Sequence, residues 1–330
     1  MIKQYVQELP HGIRLSCRSA GEIGRPVLVF LHGFPEAAFI WDDMLRHFAR
    51  PQNGGFRCVA PNLRGFEQSS APPDVSAYRP KHLVQDIAAL LAIEGGQTQL
   101  GAAPGEASPL KEQQLAQSKG RGGPQIECLV AHDWGGAVAW SLAAQQPDLM
   151  KKLAIINSPH AGTFLRELQH SPSQQAASAY MNFLIRPDAE KLLSEDDFRR
   201  LFEFFMPSAT DKKSLGPRTP PHWLTEALRA QYRDVWQRGL TGPLNFYRAS
   251  PLRPGPDIAK VAIPRELLDV RLSTLVLWAM ADIALPPALL TGLADYVPHM
   301  ELKKIEGAGH WIIHEQPALV AQHLRDFLAS

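Results

Sequence analysis

The 330 residues are enough for one large α/β unit with an inserted subdomain. Charges nearly cancel, at a formal net +1, so no basic field speaks for nucleic acid and no block of like charge speaks for a tail. The 45% hydrophobic and 20% charged contents are those of an ordinary soluble protein; no apolar run reaches membrane-spanning length, and the first residues lack a signal-peptide core. The three cysteines, Cys17, Cys58 and Cys128, are scattered and odd in number. They suggest a reducing compartment and no metal-ligand cluster, so the expectation is a cytoplasmic protein without a metal.

In chain order, residues 2–9 and 12–18 read as two strands joined near Gly12. Pro26 to Leu31 is a continuous apolar run, expected as a buried strand. It ends in His32-Gly33-Phe34-Pro35-Glu36, ahead of a helical pattern through Trp41, Leu45 and Phe48. Phe56 to Ala60 is the next strand, followed by the turn Asn62-Leu63-Arg64-Gly65. Lys81 to Ile93 carries Leu83, Ile87, Leu90 and Leu91 at helical spacing. Residues 95–125 hold seven Gly, six Gln, three Pro and no aromatic residue. Such a stretch buries too little apolar surface to offset its ordering entropy, so it reads as a flexible surface insertion.

Ile126 to Val130 is a short apolar run, and a good helix former begins at Ala137. Between them lies Ala131-His132-Asp133-Trp134-Gly135-Gly136. Asp133 therefore sits on a strand-to-helix turn, with small residues two before and two after it. That is the spacing of a nucleophile elbow, with Asp in place of Ser; a glycine-rich turn with a helix-capping Asp is the plainer alternative. Leu153 to Asn157 reads as a further strand. Strands alternating with helices predict a parallel, doubly wound sheet.

From 159 to 264 the alternation stops and the chain becomes helical and aromatic-rich. This reads as a lid inserted between the two parts of the main unit, 1–158 and 265–330. Ser171-Pro172 predicts the start of a helix that ends at Pro187. Tyr232 is expected in the lid core, with Leu228 and Trp236 flanking it at helical spacing. The sheet resumes at Leu272 to Trp278, which ends in Ala281-Asp282. A helix is expected from Pro286 to Tyr296, then a strand from Met300 to Ile305 ending in Gly309-His310-Trp311, then a helix from Gln316 to Leu328.

Open α/β sheets bind ligands beyond the carboxyl ends of their strands. Asp133, Asp282 and His310 each follow such an end, in the order nucleophile, acid, histidine. Asp269 and Asp295 rival Asp282, but only Asp282 directly follows an apolar strand. His299 and His314 rival His310, but only His310 closes a glycine-loosened loop right after a strand. The backbone N–H groups of Phe34 and Trp134 are placed to converge as an oxyanion hole.

These motifs resemble the epoxide hydrolases of the α/β-hydrolase superfamily, which are close to the haloalkane dehalogenases. The resemblance rests on His32-Gly33-Phe34-Pro35-Glu36, His132-Asp133-Trp134-Gly135-Gly136, Ala281-Asp282 and Gly309-His310-Trp311. Gly242 to Arg248 is similar to the lid segment that carries an epoxide-activating tyrosine, here Tyr247, and Tyr180 is similar in position to a second. The chain departs from the family at Asn62 and Glu67, where Asp and Gly are usual.

The resemblance implies an α/β-hydrolase fold and hydrolysis of epoxides to vicinal diols. Asp133 would be the nucleophile, His310 the general base, Asp282 its orienting acid, and Tyr247 and Tyr180 the proton donors. His32, Pro35, Trp134 and Trp311 would line the substrate pocket. A small apolar epoxide would be the partner, with no cofactor, no nucleic acid and no membrane; a homodimer is allowed. The residue types have a chemical reason. Serine attack on an epoxide carbon leaves an ether, whereas carboxylate attack leaves an ester that water can cleave. A haloalkane dehalogenase would use the same triad, but usually has Asn where Phe34 stands and needs no lid tyrosines. A carboxyl-substrate dehalogenase would be expected to have Arg where Trp134 stands. A non-catalytic hydrolase-fold binding protein could lose His310 or Asp282 freely.

Overall fold

The computed structural model describes residues 1–100, 125–206 and 219–330. Eight strands form one sheet: β1 Lys3–Glu8, β2 Arg14–Ala20, β3 Val27–Leu31, β4 Arg57–Pro61, β5 Ile126–His132, β6 Met150–Ile156, β7 Ser273–Ala279 and β8 Met300–Ile305. Their spatial order is β1-β2-β4-β3-β5-β6-β7-β8. β1 and β2 pair antiparallel, as do β2 and β4; from β4 to β8 every pairing is parallel.

The central strands are apolar throughout because both faces of the sheet are covered. In β3 the side chains of Val27, Val29 and Leu31 enter one core layer, while Leu28 and Phe30 enter the other. β5 divides in the same way, with Leu129 and Ala131 on one side and Cys128 and Val130 on the other. Helices α1 (Asp42–Phe48) and α11 (Pro317–Ala329) cover the second layer, and α2 (Pro80–Leu100) and α3 (Asp133–Gln145) the first. The three cysteines are buried and unpaired.

Between β6 and β7 the described residues form α4 (Ala161–His170), α5 (Pro172–Ala177), α6 (Tyr180–Leu184), α7 (Ala189–Glu203), α8 (Glu226–Gln237) and α9 (Thr241–Ala249). After β8 comes the short α10 (Ile312–Glu315).

Three local expectations are corrected. The helix from Ser171 to Pro187 is two helices, α5 and α6, because the chain leaves helical geometry at Ser178. The Pro286–Tyr296 helix is two short 3-10 turns, separated by Gly292 in the left-handed region at φ 70°. The helix read as ending at Ile93 continues to Leu100, into the stretch read as an insertion. The rest of that stretch, 101–124, lies outside the described residues.

Candidate active site

Strands β3, β5, β6, β7 and β8 end on one side of the sheet. Just past their carboxyl ends lie Phe34, Asp133, Asn157, Asp282 and His310 respectively. The turn at Asp133 is tight. Its φ of 49° is in the left-handed region, which costs an ordinary residue roughly 1–2 kcal/mol. Gly135 makes that turn feasible: a Cβ there would stand 2.6 Å from the His32 carbonyl oxygen and 2.7 Å from Leu31 Cβ. Ser158 Oγ donates to the Asp133 carbonyl at 2.6 Å and holds the turn from the β6 side.

The carboxylate of Asp133 faces two ways. The Phe34 N–H donates to Oδ1 at 2.8 Å; Oδ2 lies 3.7 Å from His310 Nε2. Trp134, the next residue, is in the first turn of α3, where N–H groups lack a helical carbonyl partner. Behind Phe34, buried His32 supports the loop. Its Nε2 accepts from Leu63 N–H at 3.0 Å, so Nδ1 carries the proton and donates to the Gly33 carbonyl at 2.9 Å. Burial pushes the His32 imidazole down to about 4, in keeping with this neutral tautomer.

Nδ1 of His310 lies 2.7 Å from Asp282 Oδ2. The other oxygen, Oδ1, accepts the N–H groups of Ala284 and Leu285 at 2.9 and 3.0 Å. Burial would raise the Asp282 carboxyl, but the His310 charge and these hydrogen bonds outweigh it and hold it below the ordinary range. Burial would likewise lower His310. The Asp282 carboxylate, and then Asp133 and Glu36, reverse that and hold the imidazole at about 9. The rivals lie elsewhere: Asp269 pairs with Arg265 at 2.5 Å, and His314 lies 2.7 Å from Glu36.

A cavity of about 280 Å³ opens over Asp133 and is lined by Trp134, Tyr180 and Tyr247 among others. The two tyrosine rings are 6.2 Å apart at nearly right angles, and Tyr247 packs edge-on against Trp134 at 5.0 Å. Burial, the tyrosines' mutual proximity and the Asp133 charge hold Tyr247 well above its ordinary value. Burial and the charges of Asp133 and Asp282 raise Tyr180 too. Both are protonated phenols at neutral pH.

Of the four residues expected to line the pocket, Trp134 does so. His32, Pro35 and Trp311 lie outside its wall. His32 is fully buried in the hydrogen bonds described above. The Pro35 carbonyl accepts from Trp236 Nε1 at 2.6 Å, and Trp311 Nε1 donates to the Phe204 carbonyl at 3.0 Å.

Two groups escaped the sequence reading. Asn157 Nδ2 donates to Asp282 Oδ2 at 3.0 Å and to the Gly309 carbonyl at 3.2 Å, while its Oδ1 accepts from Ala279 N–H at 2.8 Å. It was findable in the way Asp282 was, as the first polar residue past an apolar strand. Glu36 is fully buried and accepts from Tyr232 Oη at 2.7 Å, the same distance as His314 Nε2. Burial would raise its carboxyl, but the His314 charge and the interactions with His132 prevail and hold it low. Tyr232 is fully buried in the hydrophobic core, as its spacing predicted. Among the described residues no group of three or more His, Cys, Asp or Glu could hold a metal ion, and no helix is long and apolar enough to cross a membrane.

Comparison with known proteins agrees with this geometry. The sequence profile of the alpha/beta hydrolase family matches residues 28–323. The AB hydrolase superfamily protein YfhM of Bacillus subtilis is 30% identical over 97% of this chain and 96% of its own length. Epoxide hydrolase 3 of Mus musculus is 32% identical over 96% of this chain and 74% of its own. The crystal structure of Bacillus megaterium epoxide hydrolase in complex with an inhibitor superposes with a TM-score of 0.78 at 26% identity, covering 99% of this chain and all of that one. The chain therefore belongs to the alpha/beta hydrolase family and, within that superfamily, to the epoxide hydrolases.

Proposed function

We propose that the protein converts epoxides to vicinal diols through a covalent ester on Asp133. The observation that carries this reading is a single cavity in which a carboxylate on a strained strand-to-helix turn faces two protonated tyrosines. With Oδ1 engaged by the Phe34 N–H, Oδ2 attacks an epoxide carbon. The ring C–O bond breaks, and Tyr247 or Tyr180 gives its proton to the departing oxygen.

His310 then takes a proton from water as that water attacks the ester carbonyl carbon, with Asp282 fixing the imidazole through Nδ1. The Phe34 and Trp134 N–H groups hold the oxyanion. Collapse breaks the ester C–O bond on the aspartyl side; the leaving alkoxide takes the proton held by the His310 imidazolium, the attacking water's remaining proton returns to the tyrosinate left by ring opening, and the diol departs with Asp133 restored as a carboxylate. Ester formation also removes the negative charge of Asp133, one of the charges that raise His310. Asp282 contributes more than Asp133 and keeps its place in the ester, so the imidazole shifts down, toward its basic form, at the stage that needs a base.

Residues 159–264 act as a lid that supplies both tyrosines, over a core formed by 1–158 and 265–330. Three buried, unpaired cysteines fit a reducing compartment such as the cytoplasm. Turnover of styrene oxide and 1-bromobutane tests the reaction. Diol without bromide is expected; bromide release would make the protein a dehalogenase, and neither product would make it a binding protein.

A further inference from the structure

The cavity over Asp133 follows helix α3 along its length. Trp134, Val138, Ser141 and Gln145 all line it and, at about 100° per residue, they form one stripe. From Asp133 to Gln145 a rise of 1.5 Å per residue gives a length of about 18 Å. The far end is open: Gln145 is exposed, and Leu267, also in the wall, is 42% exposed.

Facing the stripe are apolar side chains, among them Leu83, Phe164 and Ile263. The polar groups of the stripe are turned back onto their own helix. Ser141 Oγ donates to the Ala137 carbonyl at 3.1 Å, and Gln145 Nε2 to the Ser141 carbonyl at 3.0 Å. Where the Phe34 N–H meets the Asp133 carboxylate, the described residues form an aromatic wall that includes Tyr247 of the cavity lining. Phe34 packs on Tyr247 at 5.2 Å and on Phe204 at 6.0 Å; neither Phe34 nor Phe204 lines the cavity.

We infer that this cavity is a channel for a terminal epoxide bearing one long, unbranched hydrocarbon arm. The ring sits between Asp133 and the tyrosine pair, and the arm lies along α3 toward Gln145. This rests on the epoxide-opening reading above and names its substrate class. Each methylene removed from water along such a wall is worth roughly fourfold in binding. A mid-chain epoxide has a second arm, which meets the aromatic wall.

The test is kcat/KM for 1,2-epoxyalkanes from epoxybutane to epoxyhexadecane, beside an internal epoxide of matched carbon number. The value should climb by up to roughly fourfold per methylene and level off once the arm reaches the mouth. The internal isomer should be slower by at least roughly tenfold, the value of about two such methylenes. Ser141→Tyr on α3 and Ile263→Phe on the opposite wall narrow the channel independently. Each should collapse the ratio of long-chain to short-chain kcat/KM, with a thermal melt reporting that the fold persists. Diol formation with a flat chain-length profile, or equal turnover of the internal isomer, overturns the channel and leaves ring opening standing. No diol from any epoxide overturns the ring-opening reading and the channel with it.

Discussion

Asn157 and His310 meet on one oxygen of Asp282. The Asn157 amide donates to Oδ2 from 3.0 Å, and His310 Nδ1 lies 2.7 Å from the same atom. Because Asn157 also donates to the Gly309 carbonyl, it fixes both the acid and the loop that carries the histidine. Asn157→Gly removes the amide and leaves the left-handed backbone, at φ 40°, unstrained. A hydrogen bond to a charged group is worth about 1.5–3 kcal/mol. Ester hydrolysis should therefore slow by roughly ten- to a hundredfold while ring opening keeps its rate, as read by rapid-quench single turnovers. Unchanged hydrolysis would mean that the Ala284 and Leu285 amides hold Asp282 without help.

In the proposed mechanism the tyrosine pair supplies the proton for the first half-reaction. Tyr247→Phe and Tyr180→Phe each leave one phenol in the cavity, so each should slow ring opening only in part. The double variant should lose most of the 10²–10⁴-fold that general acid catalysis typically supplies, roughly. Stopped-flow tryptophan fluorescence from Trp134, which packs on Tyr247 at 5.0 Å, follows this step. Full-rate ring opening in the double variant would remove the tyrosines from the mechanism.

The raised His310 imidazole makes a pH prediction with a definite sign. In the resting enzyme it should titrate at about 9, measurable by NMR of labelled histidine. In the ester intermediate the charge of Asp133 is gone, so the hydrolysis rate should rise with pH through a lower midpoint. Identical midpoints would mean that the Asp133 charge does not help to raise His310. The same shift bears on stability. A histidine raised above its unfolded value of about 6.5 contributes fully below that pH, and the contribution is lost as pH rises through about 9. Urea midpoints should therefore fall across that interval in the wild type, and less so in His310→Gln.

The turn after β4 holds two coupled departures from the family pattern. Glu67 occupies the left-handed region at φ 50°, and its Oε2 accepts from Asn62 Nδ2 at 2.7 Å and from Ser16 Oγ at 2.5 Å. The hydrogen bonds offset a backbone cost that glycine would not incur. An aspartate at 62 would set carboxylate against carboxylate. Asn62→Asp should cost about 1–3 kcal/mol in urea unfolding, and a second change, Glu67→Gln, should restore most of it by supplying an amide donor. Additive losses in the double variant would break the proposed coupling.

These cases show what the sequence makes legible. Asp133, Asp282 and His310 were readable because each follows an apolar strand closely, and parallel strands deliver their ends to one side. Asn157 follows the same rule but carries no group that attacks carbon or takes a proton, so its type alone does not mark it as part of the site. The Glu36–Tyr232–His314 contacts join residues up to 278 positions apart, and only the packing of α8 and α10 against the loop after β3 brings them together. The expected helix over 286–296 is broken by Thr291, which is extended, and Gly292, which is left-handed, whereas Gly95 and Gly96 do not stop α2. Ala, Leu and Gln around them carry the helix, and a single glycine costs only about 1 kcal/mol.

The division of labour between Asp133 and His310 is the centre of the mechanism. In the proposed mechanism the carboxylate attacks without a base, so His310 is expected to enter only when the ester is cleaved. Intact-protein mass spectrometry of His310→Gln mixed with an epoxide is the direct test. The variant should gain the mass of one substrate molecule, and the adduct should map to the peptide bearing Asp133. An unmodified mass, in a folded variant shown to bind the substrate, would mean that His310 acts before the covalent bond forms and would contradict the mechanism.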